Sequence, residues 1–276
     1  MLAPQSTGEG VYAARVTTTG VDHDVLEAGG LRLEVSGPVA TVTLDRPRTR
    51  NSQTPATWEA LRAVGEQLDP AVRVVVVTGA GDTFSSGLDR SMLAPDAEGR
   101  SPLLRQLDTP GPALGERIAG WQQGFTWLRR PDIVSVAAVR GAAVGAGFQL
   151  ALACDLRVLA DDARFSMREP ALGLVPDLTG TKPLVELVGY SRALEICATT
   201  RWVQADEARE IGLATAVVPP AELEDTVADL VAALTAPVHG AVSETKALLQ
   251  SARTLDLDAQ RRAEREAQVR RLRELA

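Results

Sequence analysis

The sequence has almost no histidine. His23 and His239 are the only two in 276 residues, one in a polar N-terminal stretch and one beside Pro237. Neither lies near the glycine turns described below, which argues against a Ser-His-Asp or Cys-His triad. Cysteine is equally scarce. Cys154 and Cys197 have no metal-ligand spacing and sit in helical patterns, so they read as buried thiols of a reducing, cytoplasmic setting. No apolar run reaches the roughly 18 residues of a membrane span, and the first residues lack the basic-then-apolar order of a secretory signal. Positive charge is not in surplus either. The formal net charge of -7 argues against nucleic acid as a general partner, and Arg261, Arg262, Arg265, Arg270, Arg271 and Arg273 alternate with Glu264, Glu266 and Glu274 as on a solvated helix face. Phosphate-loop and dinucleotide glycine patterns are also missing, which lowers the case for a nucleotide enzyme.

What is present is a core-forming α/β pattern, 45% hydrophobic over 276 residues. Leu31–Val35 alternates with period 2, turns at Gly37-Pro38 and returns through Val39–Leu44 as a hairpin. Thr54-Pro55 starts a helix whose apolar face carries Trp58, Leu61, Val64 and Leu68. Val72–Thr78, Ile133–Val139 and Leu156–Ala160 are β-branched or apolar runs of buried strands, with helices expected over Trp121–Leu128 and Gly147–Cys154. The proline-rich stretch Met92–Glu116 reads as an irregular, mobile wall. Further on, Leu223–Leu234, Ser243–Ala252 and Asp258–Leu275 read as helices. The division expected is a polar extension over residues 1–25, an α/β core over 26–200 and a helical part over 201–276. Apolar faces through Leu223, Val227, Leu230 and Leu248 suggest that this last part meets another subunit.

Two glycine turns stand where chemistry is expected. Thr78–Asp89 (TGAGDTFSSGLD) and Arg140–Asp155 (RGAAVGAGFQLALACD) each follow a buried strand, and the second runs straight into an apolar helix. Small residues and unpaired first-turn N–H groups allow an oxyanion to approach the main chain. Proton-handling groups are offered by Phe165–Gly180, where Glu169 and Asp177 lie among Ala171, Leu172, Leu174 and Val175. Carboxylates against apolar surroundings resist ionisation, which suits acid–base work. The competing expectation is that Glu169 pairs with Arg164 or Arg168 and that Asp177 only caps a turn.

Arg46-Pro47 with Asn51-Ser52, VVVTGAGDTFSSGLD, VAAVRGAAVGAGFQLALACDLRVLADDARF, GLVPDLTG and EAREIGLATAVVP together resemble the crotonase (enoyl-CoA hydratase/isomerase) superfamily, over about residues 30–252. The resemblance implies a spiral of ββα units with C-terminal helices, assembled as a homotrimer or hexamer. It implies an acyl-coenzyme A thioester as substrate, with no metal and no separate cofactor; that neither nucleic acid nor membrane is a partner is expected from the charge and the short apolar runs. The oxyanion donors carry over to the N–H groups of Leu88 and Ala146, and substrate contact to Ser86, Gly87, Asp89 and Gly145. Where related hydratases place their first catalytic Glu, this chain has Gln149; the second position is Glu169. Gln cannot accept a proton at neutral pH. Asp177 falls where double-bond-shifting relatives carry a catalytic Asp. The expected activity is therefore an isomerase using Glu169 and Asp177. A hydratase using Glu169 and a water held by Gln149 comes second, and a non-catalytic acyl-thioester binder third. Lys246 reads as a solvated lysine, with a phosphate contact as its alternative.

Overall fold

A computed structural model describes residues 20–276 of the chain. The polar extension lies outside the described residues up to position 19. Its expected end at residue 25 is too late, because Val21 is buried and Asp22 caps α1 (His23–Gly29) through the N–H of Asp24. The hairpin follows as β1 (Leu31–Ser36) and β2 (Val39–Leu44), paired antiparallel. α2 (Pro55–Gln67) has Thr54 as its cap, with a reciprocal Thr54–Thr57 capping box and Pro55 in the first turn. Its buried stripe includes Trp58, Leu61 and Val64, as the 3.6-residue period requires.

β3 (Val74–Gly79) leads to α3 (Pro102–Arg105) and α4 (Gly111–Thr126). The stretch read as irregular thus contains α3 and the first turn and a half of α4. Pro110 and Pro112, which look like breakers, occupy the cap and first turn of α4, where the missing N–H costs nothing. Next come β4 (Val134–Val139), β5 (Ala142–Val144), α5 (Ala146–Ala153), β6 (Leu156–Ala160) and β7 (Arg164–Ser166). α6 (Thr181–Val188), α7 (Tyr190–Thr199), β8 (Val203–Gln204), α8 (Ala205–Glu210) and β9 (Ala216–Val218) complete the core. α9 (Leu223–Thr235), α10 (His239–Ser251) and α11 (Leu257–Glu274) close the chain.

The main sheet has the order β1-β2-β3-β4-β6-β9, parallel throughout except for the first pair. β5, β7 and β8 form a second, small sheet, so β4-β5-α5 and β6-β7-α6 are successive ββα turns of the expected spiral. β9 is a strand of the main sheet, so the core runs on to Val218 rather than ending at residue 200. Alternate residues of the central strands face opposite ways. Val75, Val77, Ala137, Val139 and Leu159 pack into the large core with α2, α4 and α5. Val74, Val76, Val136, Ala138 and Val158 face α9, which covers them with Leu223 and Val227. Those two side chains therefore serve the chain's own sheet and are not free for another subunit.

Candidate active site

The first glycine turn is built by the loop before α2. Asn51 donates from Nδ2 to the carbonyls of Ala80 (2.9 Å) and Thr83 (2.7 Å), fixing the chain as it leaves β3. Ser85 Oγ accepts from Gly87 N (3.2 Å) and from Gln53 Nε2 (3.0 Å), and Gln53 Oε1 accepts from Trp58 Nε1 (2.9 Å). Gln53 N donates to the Gly87 carbonyl (2.7 Å) and Asp89 N donates to the Gln53 carbonyl (2.8 Å). The N–H of Leu88, between these two bonds, has no acceptor among the described residues. Gly87 has φ +80°, and a Cβ there would stand 2.4 Å from the Val144 carbonyl oxygen and 3.5 Å from Ala146 N. Only glycine permits that approach.

It brings the second turn against the first. Gly145 (φ +51°) is the residue before α5, and the N–H of Ala146, its first helical residue, also has no acceptor among the described residues. The Leu88 and Ala146 N–H groups thus flank one gap at the start of a helix, the arrangement that stabilises an oxyanion.

Glu169 and Asp177 join them. Glu169 Oε1 accepts from Gln149 Nε2 (2.6 Å), while Glu169 Oε2 is buried with no hydrogen-bond partner. The carboxyl lies over Gly145, where a Cβ would come within 3.2 Å of it. Burial pushes the Glu169 carboxyl above its ordinary range and the charge of Asp177 adds to this, while the Gln149 bond works against it. Burial likewise raises Asp177. The ion-pair alternative fails, since Arg164 and Arg168 stack over the Trp202 ring, 4.5 and 5.3 Å from its centroid.

Ser86, Gly87, Leu88, Gly145, Ala146, Glu169 and Asp177 all line one cavity of about 200 Å³. Its remaining wall is mainly apolar, with Trp58, Trp121, Leu103, Leu174 and Val175, and Gln106 and Arg168 are its polar members. The Trp58–Trp121 pair, ring centroids 5.2 Å apart, has no counterpart among the expected site residues. Its signal in the sequence was Trp58 on the apolar face of a helix, which reads as core.

Asp89 is not at the cavity. Its carboxylate accepts from Ser52 Oγ (2.7 Å) and Ser91 N (3.0 Å) and pairs with Arg46 (3.0 Å). Burial opposes ionisation there, but these bonds and the Arg46 charge outweigh it and hold the carboxyl down at about 2. It braces the turn from outside the cavity.

Gln149 is fully buried and does not reach the cavity either. Its Oε1 accepts from Leu178 N (2.8 Å) and Gly180 N (3.2 Å). Lys246 is no solvated lysine: Nζ donates to the Arg130 and Ile133 carbonyls and to Asp155 Oδ2, each at 2.7 Å.

Residues 34–274 match the family model described as enoyl-CoA hydratase/isomerase. The short-chain-enoyl-CoA hydratase of Clostridium acetobutylicum is 32% identical over 247 residues, covering 88% of this chain and 89% of its own. The carnitinyl-CoA dehydratase of Salmonella arizonae is 35% identical over 234 residues, 83% of each chain. Among solved structures, a protein of Thermobifida fusca YX, assigned as an enoyl-CoA hydratase and crystallised with acetoacetyl-CoA, is 52% identical. It superposes with a TM-score of 0.87 over 92% of this chain and 98% of its own.

Proposed function

Because this chain belongs to the enoyl-CoA hydratase/isomerase (crotonase) family, we propose that its cavity takes an acyl-coenzyme A thioester and shifts a double bond within the acyl group. The thioester oxygen sits between the N–H groups of Leu88 and Ala146. Glu169, ionised, removes a proton from the carbon next to the thioester of a 3-enoyl group, and the electron pair moves onto the oxygen as an enolate. Glu169, now protonated, returns the proton two carbons along, leaving a 2-enoyl thioester. Asp177 faces the same space and holds or relays the proton. The coenzyme enters as part of the substrate.

The observation that carries this reading is the sealed amide of Gln149. With Oε1 on two backbone N–H groups and Nε2 on Glu169, it neither accepts a proton nor faces the cavity to hold a water. The carboxylates that do line the cavity are Glu169 and Asp177. Water addition is the second reading, favoured by the hydratase and dehydratase names of the relatives; there Glu169 activates the water without help from Gln149. Incubation with 3-enoyl- and 2-enoyl-coenzyme A, with products separated and weighed, distinguishes them. An isomer of unchanged mass supports migration; a product heavier by one water, and no isomer, supports hydration. Glu169→Gln and Asp177→Asn should each reduce migration by about 10²-fold or more. Tight ligand binding without turnover of either thioester would leave only a binding protein.

The same reading includes assembly of the chain as a homotrimer or hexamer. It is supported by Val238, Leu249, Leu257, Leu272 and Leu275, which are large apolar side chains exposed on or beside α10 and α11. A stable monomer in light scattering at micromolar concentration would overturn it.

A further inference from the structure

Gln149 and Glu169 are twenty residues apart and joined by a hydrogen bond, the one between the α5 interior and the Glu169 carboxyl among the described residues. The Gln149 amide has no freedom to turn. Its oxygen is held by Leu178 N and Gly180 N, which fixes the nitrogen toward Glu169. Gly180 sits directly on the side chain, since a Cβ there would stand 2.6 Å from Gln149 Cγ. This amide orientation is the one that satisfies the neighbours, because two N–H donors need an acceptor and a carboxylate needs a donor. The result is an asymmetric carboxyl, with one oxygen bonded and the other buried without a partner.

We infer that Gln149 is a positioning residue that ties Glu169 Oε1 and so makes Oε2 the single atom that takes and returns the proton. The inference rests on the proposed acid–base role of Glu169. A donor to Oε1 favours the ionised form and so offsets part of the rise that burial imposes on this carboxyl. The other titratable groups felt at Glu169 are Asp177, on the loop beyond it, and the Cys197 thiol of α7. Arg168, its neighbour in the chain, is held on Trp202.

Two variants separate anchoring of the loop from positioning of the carboxyl. Gln149→Glu keeps an oxygen for Leu178 N and Gly180 N but replaces the donor to Glu169 with a second acceptor. Gln149→Met keeps the length and removes both functions. The titration of Glu169 is followed by ¹³C NMR of carboxyl-labelled Glu, the signal being assigned by its loss in Glu169→Gln.

The expected result is a rise of about one pH unit or more in the Glu169 midpoint in Gln149→Met. In Gln149→Glu, where two carboxyls meet over one proton, the upper midpoint of the pair should rise further. The acid limb of kcat/KM should move by the same amount in each, about tenfold in rate on that limb. A residue that merely anchors the loop would lower the melting temperature in Gln149→Met and leave both midpoints in place; that outcome overturns the inference. Should the wild-type protein turn over no enoyl thioester, the functional reading falls, while the NMR titration still decides the role of Gln149.

Discussion

The two ends of α5 treat polar groups in opposite ways. At its C-terminal end the charged side chains are closed off by partners. The buried Arg157 guanidinium donates to the carbonyls of Ala151, Cys154, Asp155 and Leu213. Asp155 Oδ2 accepts from Ser135 N, Ser135 Oγ and Lys246 Nζ. Burial brings Arg157 down to about 10, still protonated at neutral pH, so a cation sits where the helix dipole is negative. At the N-terminal end the groups are left open. The Ala146 N–H, the Leu88 N–H and Glu169 Oε2 have no partners among the described residues. One short helix thus shows that burial alone does not mark a reacting group. Unfinished hydrogen bonding at a cavity wall is what the N-terminal end adds, a demand that a ligand can meet; Arg73 Nε, buried and unpartnered away from the cavity, shows that burial with a missing bond is not enough by itself.

If that contrast holds, substitutions at the closed end cost stability and those at the open end cost turnover. The largest effect expected is from Lys246→Met, which strands the Asp155 carboxylate. Breaking a pair this enclosed should cost about 3 kcal/mol in urea unfolding, with turnover per folded molecule retained within a few-fold. A cost below about 1 kcal/mol would mean that the closed end is not held by this pair. Next is Ala146→Pro. Proline suits the first position of a helix, so the fold should keep its melting temperature while one donor is lost and kcat falls by about 10² to 10³. A folded variant with full activity would remove Ala146 from the oxyanion site.

The smallest effect sharpens the comparison. The folded-state pKa of Glu169 is raised, so the folded chain holds this proton more tightly than the unfolded chain. The stability it contributes is complete below the unfolded pKa and is lost as pH rises through the raised one. Glu169→Gln escapes that loss. It should therefore melt higher than wild type at pH 7, and the difference should shrink as pH falls below the usual carboxylate range. A variant that melts lower at pH 7 would show that Glu169 is, like Asp155, a paired structural acid.

The strands and both glycine turns were legible because their signals are local: β-branched runs, period-2 alternation, and glycines where the chain must turn sharply. Glu169 and Asp177 were legible for the same reason, as acids inside an apolar segment. What escaped depends on distant partners. Asp89 looked available until Ser52 and Arg46 arrived from the preceding loop. Lys246 looked solvated, because nothing in its helix discloses the carbonyls of Arg130 and Ile133 more than a hundred residues earlier. Leu223 and Val227 looked like an interface, since a sequence does not tell which sheet face still needs cover. Gln149 was visible as a residue, but its orientation is set by Leu178 and Gly180 across the fold.

The contact of Gly87 with the Val144 carbonyl has a bearing on how such a site can change. Gap width between the two donors is set by main chain against main chain. The side chains of Leu88 and Ala146 do not set it; both pack on the hydrophobic core, so they are open to exchange only within the room that core leaves. Gly87 and Gly147 are not, for a Cβ on Gly147 would stand 2.6 Å from Ser85 Cβ. The molecule therefore separates an inherited engine from a replaceable fitting. Substrate preference can wander along Leu103, Trp121 and Val175, one side chain at a time, with the two main-chain donors left in place.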